Sequence, residues 1–374
     1  MGARIAVSVV FFVNGAVFAS WATRVPAVAG PLGMSPGELA AVVFGLSAGA
    51  VTGLPLGGWL TNRLGSVFMM RASLLVYAGA LAWIPHAPSV VLLALSLMGL
   101  GIGNAMLDVS MNTAAVHVER AHGRQIMAGF HALFSFGGLG GAVVGTAAAS
   151  AGIPAVTHMA VAAVGLSCAG LVASFWALPD PGGRAEKKQR GPLDRRLVLL
   201  GLLAFCTLLC EGAANDWSAV YVQDTLGGSA GVAAAGFAVF SLTMTAGRFA
   251  ADRLVASVGA VAFLRGAGAL AGLGFGASLL WPTPASALLG FGALGLGLAG
   301  VVPTLFSSAV RGRDNPAAAI STVSTIGYLG FLAGPPIVGA LATAAGLRLG
   351  MVTLVVLALV IVFGATAAVR TAAG

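Results

Sequence analysis

Three carboxylates lie inside stretches that otherwise hold only apolar and small residues: Asp108, Glu211 and Asp216. A charge in such surroundings is costly, and it marks a proton or ion path or a bound solute by default. Asp108 stands midway between Asn104 and Asn112, four residues from each. That spacing puts all three on one face of a helix. A carboxylate withdrawn from water is destabilised as an anion and can exchange a proton where a surface acid stays charged. The pattern therefore reads as proton coupling or solute binding. It also fits a purely structural hydrogen-bond cluster tying one helix to its neighbours. Glu211 and Asn215 repeat the four-residue spacing further along. Asp216 points about 140° away from Glu211 on a helix and suits a structural or gating role. His131 sits six residues into another apolar run, where a packing role competes with a proton relay. Thr322, Thr325 and Tyr328 add polar edges of the kind that bond helix to helix.

The composition says what must carry these groups. Of 374 residues, 58% are hydrophobic and 8% charged, with a mean hydropathy of +0.98. A soluble domain carries about a quarter charged residues. So few charges cannot cover a water-facing surface, so lipid is the expected solvent. The 55 glycines fall within the apolar runs, where small residues let helices approach closely. The net charge of +8 is spread over short loops with no basic face, which argues against nucleic acid as a partner. Cys168, Cys206 and Cys210 lie in apolar runs without metal-ligand spacing. The first apolar stretch could pass for a secretion signal, but no small-residue cleavage site followed by a soluble domain appears.

A helix needs roughly 20 apolar residues to cross the hydrocarbon core. Twelve such stretches are expected, near 4–23, 37–60, 66–84, 90–116, 126–150, 155–178, 197–222, 231–250, 258–280, 285–309, 316–344 and 349–369. Pro85 and Pro88 mark one break, and Trp281, Pro282 and Pro284 mark another. Ser35-Pro36-Gly37-Glu38 reads as a capping box opening the second span. With the N-terminus in the cytoplasm, all but Arg24 and Arg348 of the 19 basic residues fall on the cytoplasmic side. A miscount by one span would scramble that alternation. Residues 179–196, polar and rich in Pro and Gly, form the expected cytoplasmic linker. They divide the chain into six-helix bundles over 1–178 and 197–374.

The halves echo each other. The second span ends in Gly58-Trp59-Leu60-Thr61-Asn62-Arg63-Leu64-Gly65, and the eighth in Gly247-Arg248-Phe249-Ala250-Ala251-Asp252-Arg253-Leu254, with Gly259 beyond. Gly99-Leu100-Gly101-Ile102-Gly103 in the fourth span is answered by Gly295-Leu296-Gly297-Leu298-Ala299-Gly300 in the tenth. The first of these turns resembles the loop signature of the major facilitator superfamily, Gly-x-Leu-x-Asp-Arg-x-Gly. It departs in having Asn62 for the acid and Ser66 after Gly65; the second copy keeps the acid as Asp252 but is longer. Within that superfamily, Trp21-Ala22-Thr23-Arg24-Val25-Pro26, Asp108-x-x-x-Asn112 and Glu211-Gly212-Ala213-Ala214-Asn215-Asp216-Trp217 with Tyr221 resemble the fucose-permease relatives and the YbjJ-like bacterial inner-membrane proteins.

The resemblance implies an all-α polytopic membrane protein, with twelve transmembrane helices in two pseudo-symmetric six-helix bundles and both termini in the cytoplasm of a bacterial cell. It would turn spans one, four, seven and ten toward a central cavity. That brings Asn14, Asn104, Asp108, Asn112, Glu211 and Asn215 to a proton and solute path, with Trp21, Arg24, His131 and Asp216 near it. Trp21 fits an interfacial anchor equally well, and Arg24 suits an acid or an anionic solute as partner. Gly58, Asn62, Arg63 and Gly65, with Arg248, Asp252 and Arg253, would form the cytoplasmic gate. A carboxylate there can pair with arginine or cap a helix N-terminus, and Asn62 leaves the first-half latch without a charge.

Other signatures carry no chemistry. Gly45-Leu46-Ser47-Ala48-Gly49 has the hydrolase-elbow pattern but lies within a span, with no strand before it. Gly295 to Gly300 matches a dinucleotide fingerprint without its strand or acid, so helix packing explains it better. There is no Walker A sequence, so ATP is not the expected drive. The leading expectation is a secondary transporter, not an enzyme. It would move a small polar, sugar-like solute with protons, act as a monomer in a lipid bilayer and need no cofactor or metal. A proton-driven exporter of a metabolite or drug is the second reading, and a non-transporting membrane sensor the third. Exporters of the superfamily often carry a Gly-Pro step in span five; Gly137 to Ala142 has no proline and leans toward symport.

Overall fold

The computed structural model describes residues 2–34, 36–180 and 194–370. Ser35 of the expected capping box and linker residues 181–193 lie outside the described residues. The described chain is helical throughout and contains no strand. Among the described residues there are twelve long helices. They are α1 Gly2–Ala22, α2 Pro36–Leu64, α3 Ser66–Trp83, α4 Val90–His122, α5 Met127–Ser150 and α6 Ala155–Ser174. Then follow α7 Arg195–Val220, α8 Ala230–Val258, α9 Ala260–Leu280, α10 Pro284–Leu298 continued as Val301–Ala309, α11 Pro316–Ala345 and α12 Leu347–Arg370. Eleven have the length and apolarity to cross a membrane. The remaining one, α8, is 29 residues long and free of charge from Ala230 to Gly247.

Local chemistry sets most boundaries. Ser89 accepts a hydrogen bond from the Leu92 amide and opens α4. Thr283 and Ser286 form a reciprocal capping box, with Pro284 at the first helical position of α10. Three features differ from the sequence expectation. α4 runs on to His122, six residues past the apolar stretch, until Gly123 stops it with a φ of 70°. α7 widens into a π-turn over Tyr221–Thr225. α10 breaks at Ala299 and Gly300. Pro303 lies four residues beyond Ala299, has no N–H to give its carbonyl, and crowds it.

Packing within the chain repeats every six helices. α4 lies against α2 and α3, and α6 against α1 and α3. In the same way α10 lies against α8 and α9, and α12 against α7 and α9. Glycines make these contacts close. A β-carbon on Gly101 would stand 2.1 Å from the Leu46 carbonyl oxygen, and one on Gly295 would stand 2.3 Å from that of Phe240. Gly15 and Gly137 hold α1 against α5 through the carbonyls of Phe134 and Phe12, as Gly330 holds α11 against the Phe205 carbonyl of α7. The glycine-rich run in α10 is thus a packing device. Large apolar side chains such as Leu95, Val161, Val164, Leu273, Leu289 and Phe363 point outward, as a lipid-facing surface requires.

The chain divides into two compact units: residues 1–123, 130–189 and 314–321, and residues 124–129, 190–313 and 322–374. Polar contacts pin the helix ends within each. In the first, the Ser66 amide donates to Asp180 at 2.7 Å, and Arg71 donates to the Ser174 hydroxyl at 2.7 Å. In the second, buried Arg196 donates to the Ser308 carbonyl at 2.7 Å, and Arg313 pairs with Asp194. Burial alone would raise the Asp194 carboxyl; hydrogen bonds from Arg313 and the Arg196 amide, with the Arg313 charge, outweigh it and hold the group below its ordinary range.

Gly101→Leu is expected to destabilise the protein by roughly 3 kcal/mol or more, because a backbone carbonyl cannot yield as a side chain can. Gly99→Leu should be nearly silent, since a β-carbon there meets nothing within 4 Å. Thermal unfolding followed by size-exclusion chromatography of the two variants checks this contrast.

Candidate functional site

The polar centre of the first unit is built on α4. Asp108 is only 9% exposed and Asn112 is fully buried. The Asn112 side-chain amide donates both to Asp108 Oδ1 at 3.1 Å and to the Asp108 carbonyl at 2.8 Å. Its oxygen in turn lies 3.1 Å from Nε2 of His131 on α5. Because Asn112 Oδ1 can only accept, His131 must donate from Nε2. Carboxylate, amide and imidazole thus form one chain across two helices. Phe11 of α1 presents its ring to His131 at 5.3 Å and stacks on Phe130 at 5.6 Å, which fixes the imidazole plane. Asn14, also on α1 and 1% exposed, donates to the Met111 sulfur at 3.6 Å, while its side-chain oxygen has no partner. A buried acceptor left open in this way suits a hydroxyl or water that arrives from outside the protein.

The four-residue spacing thus brings Asp108 to Asn112. Among the described residues no hydrogen bond joins Asn104 to Asp108. His131 enters through a contact from another helix. Trp21 is 4% exposed and therefore packed within the first unit.

The second unit answers with a different pairing. Glu211 on α7 has the Arg248 guanidinium on α8 as its charged neighbour. Arg248, read from sequence as part of the gate, has this acid as its charged neighbour. Asn215 and Asp216 are exposed at the end of α7.

Asp252 also lies in the second unit. Its Oδ1 accepts from the Ala128 amide at 2.9 Å and its Oδ2 from the Gly129 amide at 2.7 Å. These are among the first free N–H groups of α5, so the carboxylate sits on the positive end of that helix. Of the two roles open to a carboxylate here, these contacts are those of the helix cap. Arg253 is exposed. At the matching turns, Gly65 of the first half takes φ 86° and Gly259 of the second takes φ 81°, a conformation that explains a glycine at each. Arg63 lies 4.6 Å over the Trp59 ring. Asn62 makes no hydrogen bond among the described residues. The contact there is instead apolar and close: a β-carbon on Gly58 would meet that of Ser321 at 2.5 Å, and Ser321 donates to the Leu54 carbonyl at 2.8 Å. The end of α2 therefore meets the start of α11, as the end of α8 meets the start of α5.

Sequence reasoning passed over Met111, Asp180 and His158. Asp180 and His158 stand at the edges of spans, where a lone polar residue reads as a boundary.

A family model described as Major Facilitator Superfamily matches residues 7–312. Membrane protein MosC of Rhizobium meliloti is 32% identical over 362 residues, covering 95% of this chain and 88% of its own length. An uncharacterised MFS-type transporter of Yersinia pestis is 32% identical over 374 residues, covering 98% and 96%. Among solved structures, the transporter FucP in its outward conformation superposes with a TM-score of 0.83 at 17% identity, over 97% of this chain and 98% of that one. A structure of the E. coli fucose:proton symporter FucP superposes with a TM-score of 0.79. The resemblance read from the loop signature and the polar motifs is borne out, as is the twelve-helix architecture. With the family model and both relatives spanning most of its length, this chain belongs to the major facilitator superfamily of membrane transporters.

Proposed function

We propose that this protein is a proton-coupled symporter of a small, polar, sugar-like solute in a bacterial cytoplasmic membrane, with Asp108 as the proton carrier. The observation that carries the reading is the contrast between the two intramembrane acids. Asp108 is buried with an amide, and no cation, as its described partner. A hydrogen bond alone compensates a buried charge poorly, so taking up a proton relieves a real cost. Glu211 has Arg248 to offset its charge and suits a fixed role in holding the second unit or a polar solute. The likeness to the fucose:proton symporter supports the same mechanism and a sugar-like cargo. Protons and the solute are then the partners, and the bilayer the medium, of a protein acting as a monomer.

Asn112 and His131 respond to the proton without carrying it: when Asp108 takes a proton its oxygen becomes a poorer acceptor for the Asn112 amide, and the contact of the Asn112 oxygen with the imidazole passes that change to α5. The unpartnered oxygen of Asn14 offers a hydrogen-bond acceptor to a hydroxyl of the solute. Asp252 works as a latch in this scheme. While its carboxylate holds the first amides of α5, the ends of α5 and α8 stay together; alternating access needs that contact to break and reform. The absence of proline in Gly137 to Ala142 leans toward symport, because exporters of the superfamily often carry a Gly-Pro step in this span.

Three outcomes are expected. First, single-cysteine labelling in intact cells should place residues 180–196 and both ends inside; labelling of the linker from outside would overturn the proposed orientation. Second, after a thermal-shift screen has supplied a substrate, Asp108→Asn in proteoliposomes should lose uphill uptake driven by a pH gradient while retaining solute exchange. Glu211→Gln should keep some coupling. Accumulation by Asp108→Asn equal to the parent's would remove Asp108 from the role. Third, Asp252→Asn should weaken the latch by about 1–2 kcal/mol, the worth of an anion on a helix N-terminus. That is roughly a tenfold shift between conformers, read as the accessibility of a cysteine placed near residue 128.

A further inference from the structure

The end of the first unit remote from the linker contains a sealed cation. Arg24 follows α1 and is 3% exposed. It donates one guanidinium N–H to the Ile153 carbonyl in the turn between α5 and α6, while its Nε has no partner. The imidazole of His158, in the first turn of α6, is 7% exposed, and neither ring nitrogen has a partner. The two side chains are charge neighbours. Gly145 of α5 makes the room: a β-carbon there would lie 2.1 Å from the Thr23 hydroxyl and 3.3 Å from the His158 ring. Thr23 itself is spent on the Ala19 carbonyl at 2.9 Å, so Arg24 and His158 hold the open positions. Among the described residues no carboxylate forms an ion pair with Arg24. The second unit supplies a contrast. Arg348 donates to the carbonyl of Leu279 at the end of α9, but it is exposed to solvent and needs no further partner.

We propose that Arg24 and His158 hold a small monovalent anion, a halide or a carboxylate group, between α1, α5 and α6. Buried polar groups in folded proteins are satisfied, and a buried charge is paired. Water can accept from Arg24 Nε and from an imidazole N–H, but it leaves the guanidinium charge unbalanced in apolar surroundings. A halide or carboxylate oxygen accepts from both donors and balances the charge. The bound ion would fasten the end of α1 to the α5–α6 turn. This inference does not depend on the proton-coupling reading, because its test involves no transport.

The test is thermal unfolding of the purified protein at constant ionic strength, with sodium gluconate replaced stepwise by sodium chloride, bromide or acetate. A saturable rise in melting temperature with at least one of the three ions is expected. Response to chloride and bromide identifies a free halide site; response to acetate alone identifies a carboxylate site. Arg24→Gln and His158→Gln should each raise the half-saturating concentration at least tenfold. Should Arg24→Gln fail to fold, His158→Gln carries the comparison alone. Superimposable curves in all four salts would show that water fills the position and overturn the proposal. So would a saturable shift that His158→Gln leaves unchanged, since the ion would then bind elsewhere.

Discussion

Lipid offers no hydrogen bonds, and every other feature of this protein answers to that. Each backbone amide within the hydrocarbon must be satisfied inside its own helix, which is why the described chain is helical from end to end. The same constraint removes the hydrophobic drive for helix to meet helix, since lipid tails are as apolar as leucine. What remains is close approach. Glycines at Gly15, Gly101, Gly137, Gly295 and Gly330 bring neighbouring backbones within reach of one another's carbonyls, and the pattern recurs six helices later.

Against that apolar background each polar group has to be accounted for singly. Hydroxyls mostly bond back to their own helix, as Thr113 does to the Val109 carbonyl and Thr207 to that of Leu203. Arginines at helix ends are spent on carbonyls, Arg71 and Arg196 being the clearest. Among the described residues, the buried atoms without a partner include the Asn14 oxygen, the Arg24 Nε and both ring nitrogens of His158, alongside the Arg196 Nε and hydroxyls such as those of Tyr77 and Tyr221. The Asn14 oxygen and the Arg24–His158 pair occupy two distinct places. One adjoins the Asp108–Asn112–His131 chain. The other lies where α1 leaves off and α6 begins.

The two halves share a scaffold but have divided the chemistry. α4 and α10 hold equivalent places, yet the acid of the first half sits on α4 and that of the second on α7. One acid is held by an amide, the other has an arginine beside it. The loop signature has diverged in the same way. Its second copy keeps a carboxylate that caps α5, while its first copy has lost the charge and relies on the close seat of Gly58 against Ser321. The fold repeats while the polar groups do not, so the halves differ in where their acids sit and in what those acids touch.

Span number, span placement and the six-helix repeat were legible in the residues, because apolar length and glycine spacing are local properties that lipid reads directly. The candidate acids were legible for the same reason: a charge in an apolar run is conspicuous wherever the run folds. The Asp108–Asn112 contact followed from helical spacing alone. Partners on other helices did not, since they depend on the rotation and height at which two helices meet, and those are set by which glycine faces which carbonyl. Hence only the tertiary structure linked His131 to Asn112, set Arg248 beside Glu211, seated Asp252 on α5 and sealed Arg24 against the α5–α6 turn. The break in α10 is intermediate. Pro303 was plain in the chain, but a proline in a membrane helix can be absorbed by its neighbours, and the bend at Ala299 and Gly300 is open only because Gly300 has no side chain to strike Ala251 and Phe263.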